Sequence, residues 1–424
     1  MTACRSRRGL YWGISLLALI ATGCTTAGGE KSVQHSIPRL YGAEDPQFAR
    51  TMGALLGPGL LEGNLVDVLL NGDEIFPAML QAIRGAKKTI TFETFVFRDG
   101  VGATFVEELS AAARRGVQVH MLLDWLGSRS MNQHLLQAAR ASGCDLHVYH
   151  PPSWYHLGRL NNRTHRKLLV TDGEVGFTGG VGIADEWTGH AQDPAHWRDS
   201  HYRVQGPVVA QMQAVFMDNW IKVSGDVLHG AEYFPALKAI GVGRAHIFSS
   251  SPSGGSESMR LMYLLAISAA SKSIYLSSAY FVPDTLTIKA MADAAKRGVV
   301  VQVITPGRHI DSELVRRASR ALWGPLLEAG VEMYEYQPTM YHCKAMIVDG
   351  LWATVGSTNF DPRSFNLNDE ANLSYYDAEF ARRQIGIFQA DLAHSRRITL
   401  QEWTERPFAE RMWEHAASLM RSEL

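Results

Sequence analysis

Two short stretches of the chain carry the same set of residues able to act on a phosphate ester. Each has a histidine and a lysine two positions apart, then a mostly apolar run, then an aspartate. The members are His165, Lys167 and Asp172 in the first copy, and His342, Lys344 and Asp349 in the second. Because side chains alternate along a strand, the histidine and lysine of each copy are expected on one strand face. An imidazole beside an ammonium suits an anionic, phosphate-like ligand.

The duplication matters because exchange at a phosphodiester can use two imidazoles. One attacks phosphorus near neutral pH, and the other, when protonated, donates its proton to the leaving alkoxide. The two lysines would neutralise the nonbridging oxygens, which is the main electrostatic task in phosphoryl-type transfer. Lysine there takes the role of a divalent ion, so neither a metal nor a cofactor is expected. The residues alone do not tell which histidine attacks.

The two copies resemble the duplicated His-x-Lys-x4-Asp signature of the phospholipase D superfamily. The flanking sequence looks more narrowly like that of bacterial cardiolipin synthases. That likeness lies in four stretches, which are Arg159-x-Asn161-x-Arg163, Ile183 to Trp187, Trp197 to His201, and Gly356 to Phe365. The resemblance covers roughly residues 60–400, which is most of the chain.

The resemblance assigns roles to the two histidines. It makes His165 the nucleophile that forms a phosphatidyl-histidine, and His342 the general acid and then the general base. Each would have an orienting carboxylate on its other ring nitrogen, which fixes the tautomer. By family position, Asp199 is expected beside His165 and Glu370 beside His342.

The resemblance also implies residues around the substrate phosphate. These are Asn359, Arg163 and Arg363, although solvated surface charge explains the two arginines equally well. Gly182 occupies the position in the first copy that corresponds to Asn359, so a symmetric asparagine pair is not expected. Asp172 and Asp349 belong to the motif, but they are expected to hold local structure more than to take part in catalysis.

The sequence pattern of the helices and strands that would position these residues is also repeated. Helical spacing at Phe76, Met79, Leu80 and Ile83 is followed by a strand over 89–97, and the pattern recurs about 180 residues later. Alternation of strands and helices predicts an α/β fold, a sheet covered by helices on both faces. With the resemblance, this becomes two tandem, pseudo-twofold-related phospholipase D-like α/β/α sandwich domains. A single amphipathic helix is expected over 314–327, with Arg316, Arg317 and Arg320 on its polar side.

The N-terminus predicts export with a lipid anchor. Three arginines precede a short apolar run over 10–21, and Cys24 follows small residues, as at a bacterial lipoprotein cleavage site. The expected organisation is a signal peptide over 1–24, a tether over 25–58, a first domain over 59–228, a crossover over 229–245 and a second domain over 246–424. The product would be a membrane-anchored lipoprotein of the cell envelope that faces the periplasm. An uncleaved signal anchor with an incidental cysteine is the alternative.

Composition and net charge limit the classes of function that the chain could have. The chain has 424 residues, of which 46% are hydrophobic and 20% charged, as in globular proteins. Its 41 basic and 42 acidic residues give a net charge of −1. Proteins that hold long nucleic acids usually carry a basic surplus, so no nucleic-acid partner is expected.

The function expected from these features is a cardiolipin synthase-like phosphatidyltransferase acting on phospholipids. It would transfer a phosphatidyl group from phosphatidylglycerol to a second phospholipid alcohol through a phosphohistidine. The first alternative is a phospholipase D, which would use water as acceptor and release phosphatidic acid. A nucleic-acid phosphodiesterase and a lipoprotein scaffold without enzymatic activity are the remaining, weaker alternatives.

Overall fold

One mixed sheet of sixteen strands runs through the part of the chain that the computed structural model describes, residues 33–151, 162–251 and 257–420. The expected signal peptide with Cys24 lies outside these residues. The strands are β1 (Leu61–Leu70), β2 (Thr89–Thr94), β3 (Gln118–Asp124), β4 (Asp145–Tyr149), β5 (Arg163–Thr164), β6 (Leu168–Thr171), β7 (Val175–Gly179), β8 (Ser200–Gln205), β9 (Gly243–Ser250), β10 (Ser273–Ser278), β11 (Val300–Pro306), β12 (Glu332–Tyr336), β13 (Lys344–Val348), β14 (Trp352–Gly356), β15 (Asn368–Tyr376) and β16 (Ser395–Ile398).

Helices pack on the sheet between these strands. They are α1 (Pro46–Leu56), α2 (Asn71–Gly85), α3 (Val101–Arg114), α4 (Trp125–Ser128), α5 (Gln133–Ala141), α6 (Val209–Ser224), α7 (Glu257–Ala269), α8 (Thr285–Lys296), α9 (Glu313–Ala321), α10 (Gly324–Glu328), α11 (Pro362–Asn366), α12 (Ala378–Ala393), α13 (Leu400–Thr404) and α14 (Phe408–Ser418). None of the helices in the described ranges combines the length and apolar character needed to cross a bilayer.

The strand order confirms the duplication. The first half runs β4-β3-β2-β6-β7-β8-β1, and the second runs β12-β11-β10-β13-β14-β15-β9, with β16 added at its outer edge. In both halves the three strands that begin the order are parallel and the others antiparallel. The halves join where β1 pairs with β9 in antiparallel fashion. An antiparallel pair has a local twofold axis, so this junction relates the two halves of a continuous sheet.

A hydrophobic cluster shared by both halves lies beneath α6 and α12. It includes Met212 and Phe216 of α6, Phe380 of α12, and Tyr202 and Leu373 of the central strands. Each such side chain contributes about 1.5–3 kcal/mol when fully buried. Each half also has its own core, on the sheet face away from this cluster. The shared cluster holds the halves in fixed register, which a site between them requires.

The two strands that contain the apolar runs of the motifs begin later than expected. β6 starts at Leu168 and β13 at Lys344, so both histidines precede the strands. The His165 N–H donates to the carbonyl of Asp369, and the His342 N–H donates to the carbonyl of Arg198. Each histidine backbone is therefore held by the other half of the molecule.

The single helix expected over 314–327 is wrong. The chain forms α9 and α10 there, with Trp323 between them and Gly324-Pro325 opening the second helix. Proline lacks an N–H and fits the first helical position, so α10 starts anew. Arg320 is also buried, not on a solvated polar side as expected.

Candidate active site

The structure buries both His–Lys pairs. His165 is 8% exposed and His342 is 6% exposed, and the two lysines are more buried still. Each lysine Nζ lies 2.7 Å from the carbonyl oxygen of its own histidine. The Lys344 ammonium also lies 3.1 Å from both ring nitrogens of His342. Charge on each lysine acts on the histidine of the other copy, so the two motifs form one electrostatic site.

The orienting carboxylates are exchanged between the halves. His165 Nδ1 lies 2.9 Å from Glu370 Oε1, and His342 Nδ1 lies 2.7 Å from Asp199 Oδ2. The expectation that Asp199 serves His165 and Glu370 serves His342 is therefore wrong. Main-chain contacts between the halves explain this pairing. The carbonyl of Asp369, just before Glu370, accepts the His165 N–H, and the carbonyl of Arg198, just before Asp199, accepts the His342 N–H.

Each carboxylate is held by further donors that the sequence did not single out. Glu370 accepts hydrogen bonds from Ser357 Oγ at 2.5 Å and Ser364 Oγ at 2.8 Å. Asp199 accepts from Trp187 Nε1 at 2.9 Å and from the Ser200 N–H at 2.8 Å. These donors fix the carboxylates and, through them, the imidazole rings. All four donors lie in the stretches that resemble cardiolipin synthases, and that resemblance was the available signal.

The environment of His165 favours a neutral ring. Burial lowers the pKa of His165 to about 4, with Lys167 and Lys344 adding to the effect and Glu370 opposing it. Burial alone would raise the pKa of Glu370, but His165, Lys167 and the Ser357 hydrogen bond outweigh it and lower that pKa. At neutral pH an ionised Glu370 therefore accepts the Nδ1–H of a neutral His165. The Nε2 lone pair is left for attack.

The second histidine has a similar but distinct setting. Burial and the neighbouring Lys344 lower the pKa of His342, while Asp199 opposes them. The rings of Trp187 and Trp197 lie 5.2 and 5.4 Å from the imidazole. His342 thus lies against two tryptophan rings, whereas His165 contacts the Phe95 ring at 5.3 Å and lines a cavity.

The lysines lose affinity for protons in the same buried setting. Burial lowers the pKa of Lys167 to about 7, and it also lowers the pKa of Lys344. An anionic phosphate near either ammonium would raise its pKa again, since an opposite charge favours the charged form.

A cavity of about 250 Å³ lies beside His165. All three predicted phosphate contacts, Arg163, Arg363 and Asn359, line it. The Oδ1 atom of Asn359 is buried and has no hydrogen-bond partner among the described residues. Sequence reasoning missed Asp361, whose pKa burial raises to about 7.

Steric crowding explains why the first copy has glycine, Gly182, at the position that corresponds to Asn359 in the second copy. A Cβ at Gly182 would lie 2.8 Å from Val96 Cβ and 3.1 Å from the Trp187 ring. Val96, together with the tryptophan that binds Asp199, therefore leaves no room for a side chain at this position. The duplicated site is chemically asymmetric, because Asn359 lines the cavity beside His165 and the corresponding position in the first copy is Gly182.

The aspartates of the two motifs lie at the far ends of β6 and β13. Asp172 accepts the N–H groups of Lys87, Lys88 and Thr89. Asp349 accepts those of Ser271, Lys272 and Ser273 in the same way. Both aspartates hold the start of a neighbouring strand, so we assign them a structural role and remove them from the catalytic set. In the described ranges, no group of three or more His, Cys, Asp or Glu residues has the arrangement of a metal site.

Comparison with known proteins identifies the family of the chain. Residues 79–220 and 263–392 match the family described as "Cardiolipin synthase, PLD-like domain". The chain is 34% identical to cardiolipin synthase 1 of Bacillus anthracis over 358 residues, which are 82% of this chain and 70% of that protein. It is also 34% identical to the cardiolipin synthase of Geobacillus kaustophilus over 357 residues, 83% of this chain and 71% of that one.

A solved structure shares the fold. The phosphatidylserine synthase of Haemophilus influenzae aligns with a TM-score of 0.68 at 14% identity, covering 89% of this chain and 99% of that one. The resemblance seen in the motifs is confirmed over most of the chain. The protein belongs to the phospholipase D-like cardiolipin synthase family.

Proposed function

We propose that this phosphatidyltransferase moves a phosphatidyl group from phosphatidylglycerol to a second phospholipid alcohol, and that cardiolipin is the product when the acceptor is another phosphatidylglycerol. The observation that carries the proposal is His165, hydrogen-bonded to Glu370 and lining a cavity with Asn359 and two arginines, near two buried lysines. Such a site suits an anionic diester and a nitrogen nucleophile.

In the first step His165 Nε2 attacks phosphorus. A P–N bond forms, and the P–O bond to the glycerol head group breaks. His342 donates its proton to the departing glycerol oxygen, which leaves as free glycerol. The negative charge of the bound phosphate raises the pKa of His342, so this proton is present when substrate is bound.

In the second step His342, now neutral, takes the proton from the acceptor hydroxyl. The acceptor oxygen attacks phosphorus, the P–N bond breaks, and His165 returns to its starting form. Lys167 and Lys344 neutralise the nonbridging oxygens in both steps. Glu370 offsets the positive charge that the His165 ring carries while it is bonded to phosphorus.

Lipid mass analysis tests this function. The chain would be incubated with phosphatidylglycerol vesicles, in parallel with His165→Ala and with His134→Ala as a control, because His134 is exposed on α5. Cardiolipin plus free glycerol is expected from the unaltered chain and from the control, and none from His165→Ala. Phosphatidic acid alone would contradict the transferase and indicate hydrolysis. Unchanged lipid would contradict both activities.

We also propose that the chain is an exported lipoprotein attached through Cys24. The sequence features described above support this, since several acyl chains on one cysteine anchor a protein stably. Cys24→Ser is expected to move the protein from the membrane fraction to the soluble fraction. Metabolic labelling with a fatty acid should mark the unaltered chain and not the variant. Incorporation of the fatty-acid label into the variant would contradict this attachment.

A further inference from the structure

The last helix of the described chain is packed with its polar side inward. Glu414 of α14 is 1% exposed, and Glu410 and Ala417 share its inner face. On the outer face Phe408 is 70% exposed and Trp413 is 64% exposed, beside Met412. Soluble proteins usually arrange a surface helix the other way round.

Ion pairs fix this orientation. Glu414 accepts from Arg320 Nε at 2.9 Å and from Arg406 Nε at 2.8 Å. Glu410 adds a contact of 3.2 Å to Arg320 Nη2. Arg320 and Glu414 are both buried, so rotating α14 to hide its apolar side would leave charges unpaired, at high cost. The exposed apolar side is therefore built into the fold.

One helix, α9, connects α14 to the substrate cavity. α14 packs along α9, and Val315 of α9 lines the cavity together with Ser312, the residue just before that helix. The apolar side of α14 is thus coupled by one rigid helix to the place where the lipid must enter. This step rests on the proposed function, because a lipid substrate reaches the cavity only from a lipid surface.

The border of the apolar side carries a free cation. Arg411 lies beside Phe408, with its guanidinium 5.9 Å from the ring centroid, and it forms no ion pair with the described residues. Helices that lie in a membrane surface combine Trp and Phe on one side with Arg or Lys at the edge, where the cation meets lipid phosphates.

We propose that the outer side of α14, formed by Phe408, Met412 and Trp413, docks on an anionic phospholipid bilayer and holds the cavity at the membrane surface. This contact is separate from the N-terminal anchor.

Site-specific labelling tests the contact directly. The full chain would carry Cys4→Ser and Cys24→Ser, which remove the anchor cysteine, while Cys144 and Cys343 are buried and unreactive. An environment-sensitive fluorophore would be attached to Met412→Cys, and in a matched control to Glu107→Cys on α3. With vesicles of phosphatidylglycerol and brominated phosphatidylcholine, quenching is expected for the first label and not for the second. Equal quenching of both labels, or none, would overturn the proposal.

An activity comparison separates docking from catalysis. Phe408→Asp with Trp413→Asp is expected to lower kcat/KM on phosphatidylglycerol vesicles about tenfold, because apolar insertion is lost. Activity on phosphatidylglycerol in detergent micelles should stay unchanged, since no bilayer has to be engaged. Equal activity of variant and parent on vesicles would overturn the docking role. Absence of activity in the parent chain on both vesicles and micelles would instead contradict the proposed function, and the label result would still stand by itself.

A second copy of the chain is the competing occupant. If it covers this side of α14, the Met412→Cys label shifts with protein concentration in the absence of lipid, and sedimentation shows a dimer that Trp413→Asp dissociates. That result would overturn the membrane contact.

Discussion

At the scale of single residues, two buried carboxylates and two buried lysines determine the charge around the histidines. Glu370 and Asp199 are ionised, both imidazoles are neutral in the empty site, and the lysines supply the positive charge. The empty site is close to balanced before a phosphate enters. Binding of the phosphate anion then draws protons onto the lysines and onto His342.

The pH dependence of kcat/KM should report Lys167. Burial lowers its pKa to about 7, so the ammonium is lost as the pH rises through about 7, and kcat/KM of the free enzyme should fall there. The acid side should fall only near pH 4, where His165 gains a proton and loses its nucleophilic lone pair. In Lys167→Arg the alkaline fall should move upward, because guanidinium does not titrate in this range. An unchanged alkaline fall in that variant would assign it to another group.

The exchange of carboxylates predicts different defects for Glu370→Gln and Asp199→Asn. Glu370→Gln should lower the rate of intermediate formation about 10²–10³-fold, because the charge that offsets the phosphorylated ring is lost. Asp199→Asn should impair only proton donation by His342. On a phosphatidyl ester with a nitrophenol leaving group, which needs no acid, rapid-quench measurements should find Asp199→Asn near normal and Glu370→Gln still slow. The reverse pattern would contradict the observed pairing.

Sequence reasoning predicted the two His–Lys pairs that the structure brings together, but it assigned the carboxylates to the wrong histidines. The spacing of His165 and Lys167, repeated in the second half, was sufficient to predict these pairs as candidates for catalysis. The pairing of Asp199 with His342 depends on which strand edge meets which histidine across the twofold junction. No local pattern encodes that contact, so the prediction placed each carboxylate beside the wrong histidine.

At the scale of elements, Asp172 and Asp349 connect the motif strands to the strands beside them. Asp172→Ala should lower the free energy of unfolding by about 2–3 kcal/mol, because a charged acceptor of several N–H groups is removed. Asp172→Asn should lose less, since asparagine keeps one acceptor and tolerates the positive φ of 53° at this position. Urea unfolding would measure both, with the neighbouring exposed Glu174→Ala as a control within about 0.5 kcal/mol. Loss of kcat in the folded fraction would contradict the structural role.

The ion network between α9 and α14 gives a second prediction at this scale. Arg320→Ala should destabilise the protein by about 3–5 kcal/mol, because Glu335 and Glu414 each lose a buried charged donor, although Arg316 and Arg406 remain beside them. Arg317→Ala on the same helix should change stability by less than about 1 kcal/mol, since its pair with Glu313 is exposed. Thermal unfolding of the two variants would measure the difference. Equal effects would contradict the buried network.

Elements were predicted well where a hydrophobic period was long and poorly where proline or tertiary contact intervened. The expected strands over 89–97 and 273–281 are β2 and β10, each ending about three residues early. Helical spacing also continued across Gly324 and Pro325, and the prediction treated α9 and α10 as one helix. Arginines at helical spacing are typical of a solvated helix face. The carboxylates that surround Arg320 come from distant parts of the chain and are visible only in the folded structure.

At the scale of the molecule, neither half should be active alone. Between α6 and β9, residues 225–242 form neither helix nor strand, and a break after residue 228 leaves every strand intact. Fragments 1–228 and 229–424, when co-expressed, should copurify and regain activity, because β9 must pair with β1 and β15. Each fragment expressed alone should be inactive in the lipid assay. Activity in one fragment would contradict the shared site.

The crossed histidine–carboxylate pairs also bear on events during synthesis. Glu370 follows His165 by 205 residues, so a ribosome adding about 5–20 residues per second makes the nucleophile roughly 10–40 s before its carboxylate. A nascent or prematurely terminated chain therefore holds a histidine without the group that orients it. We therefore expect no lipid turnover from chains that end before Glu370, so the host bilayer is protected from such fragments without a separate inhibitor.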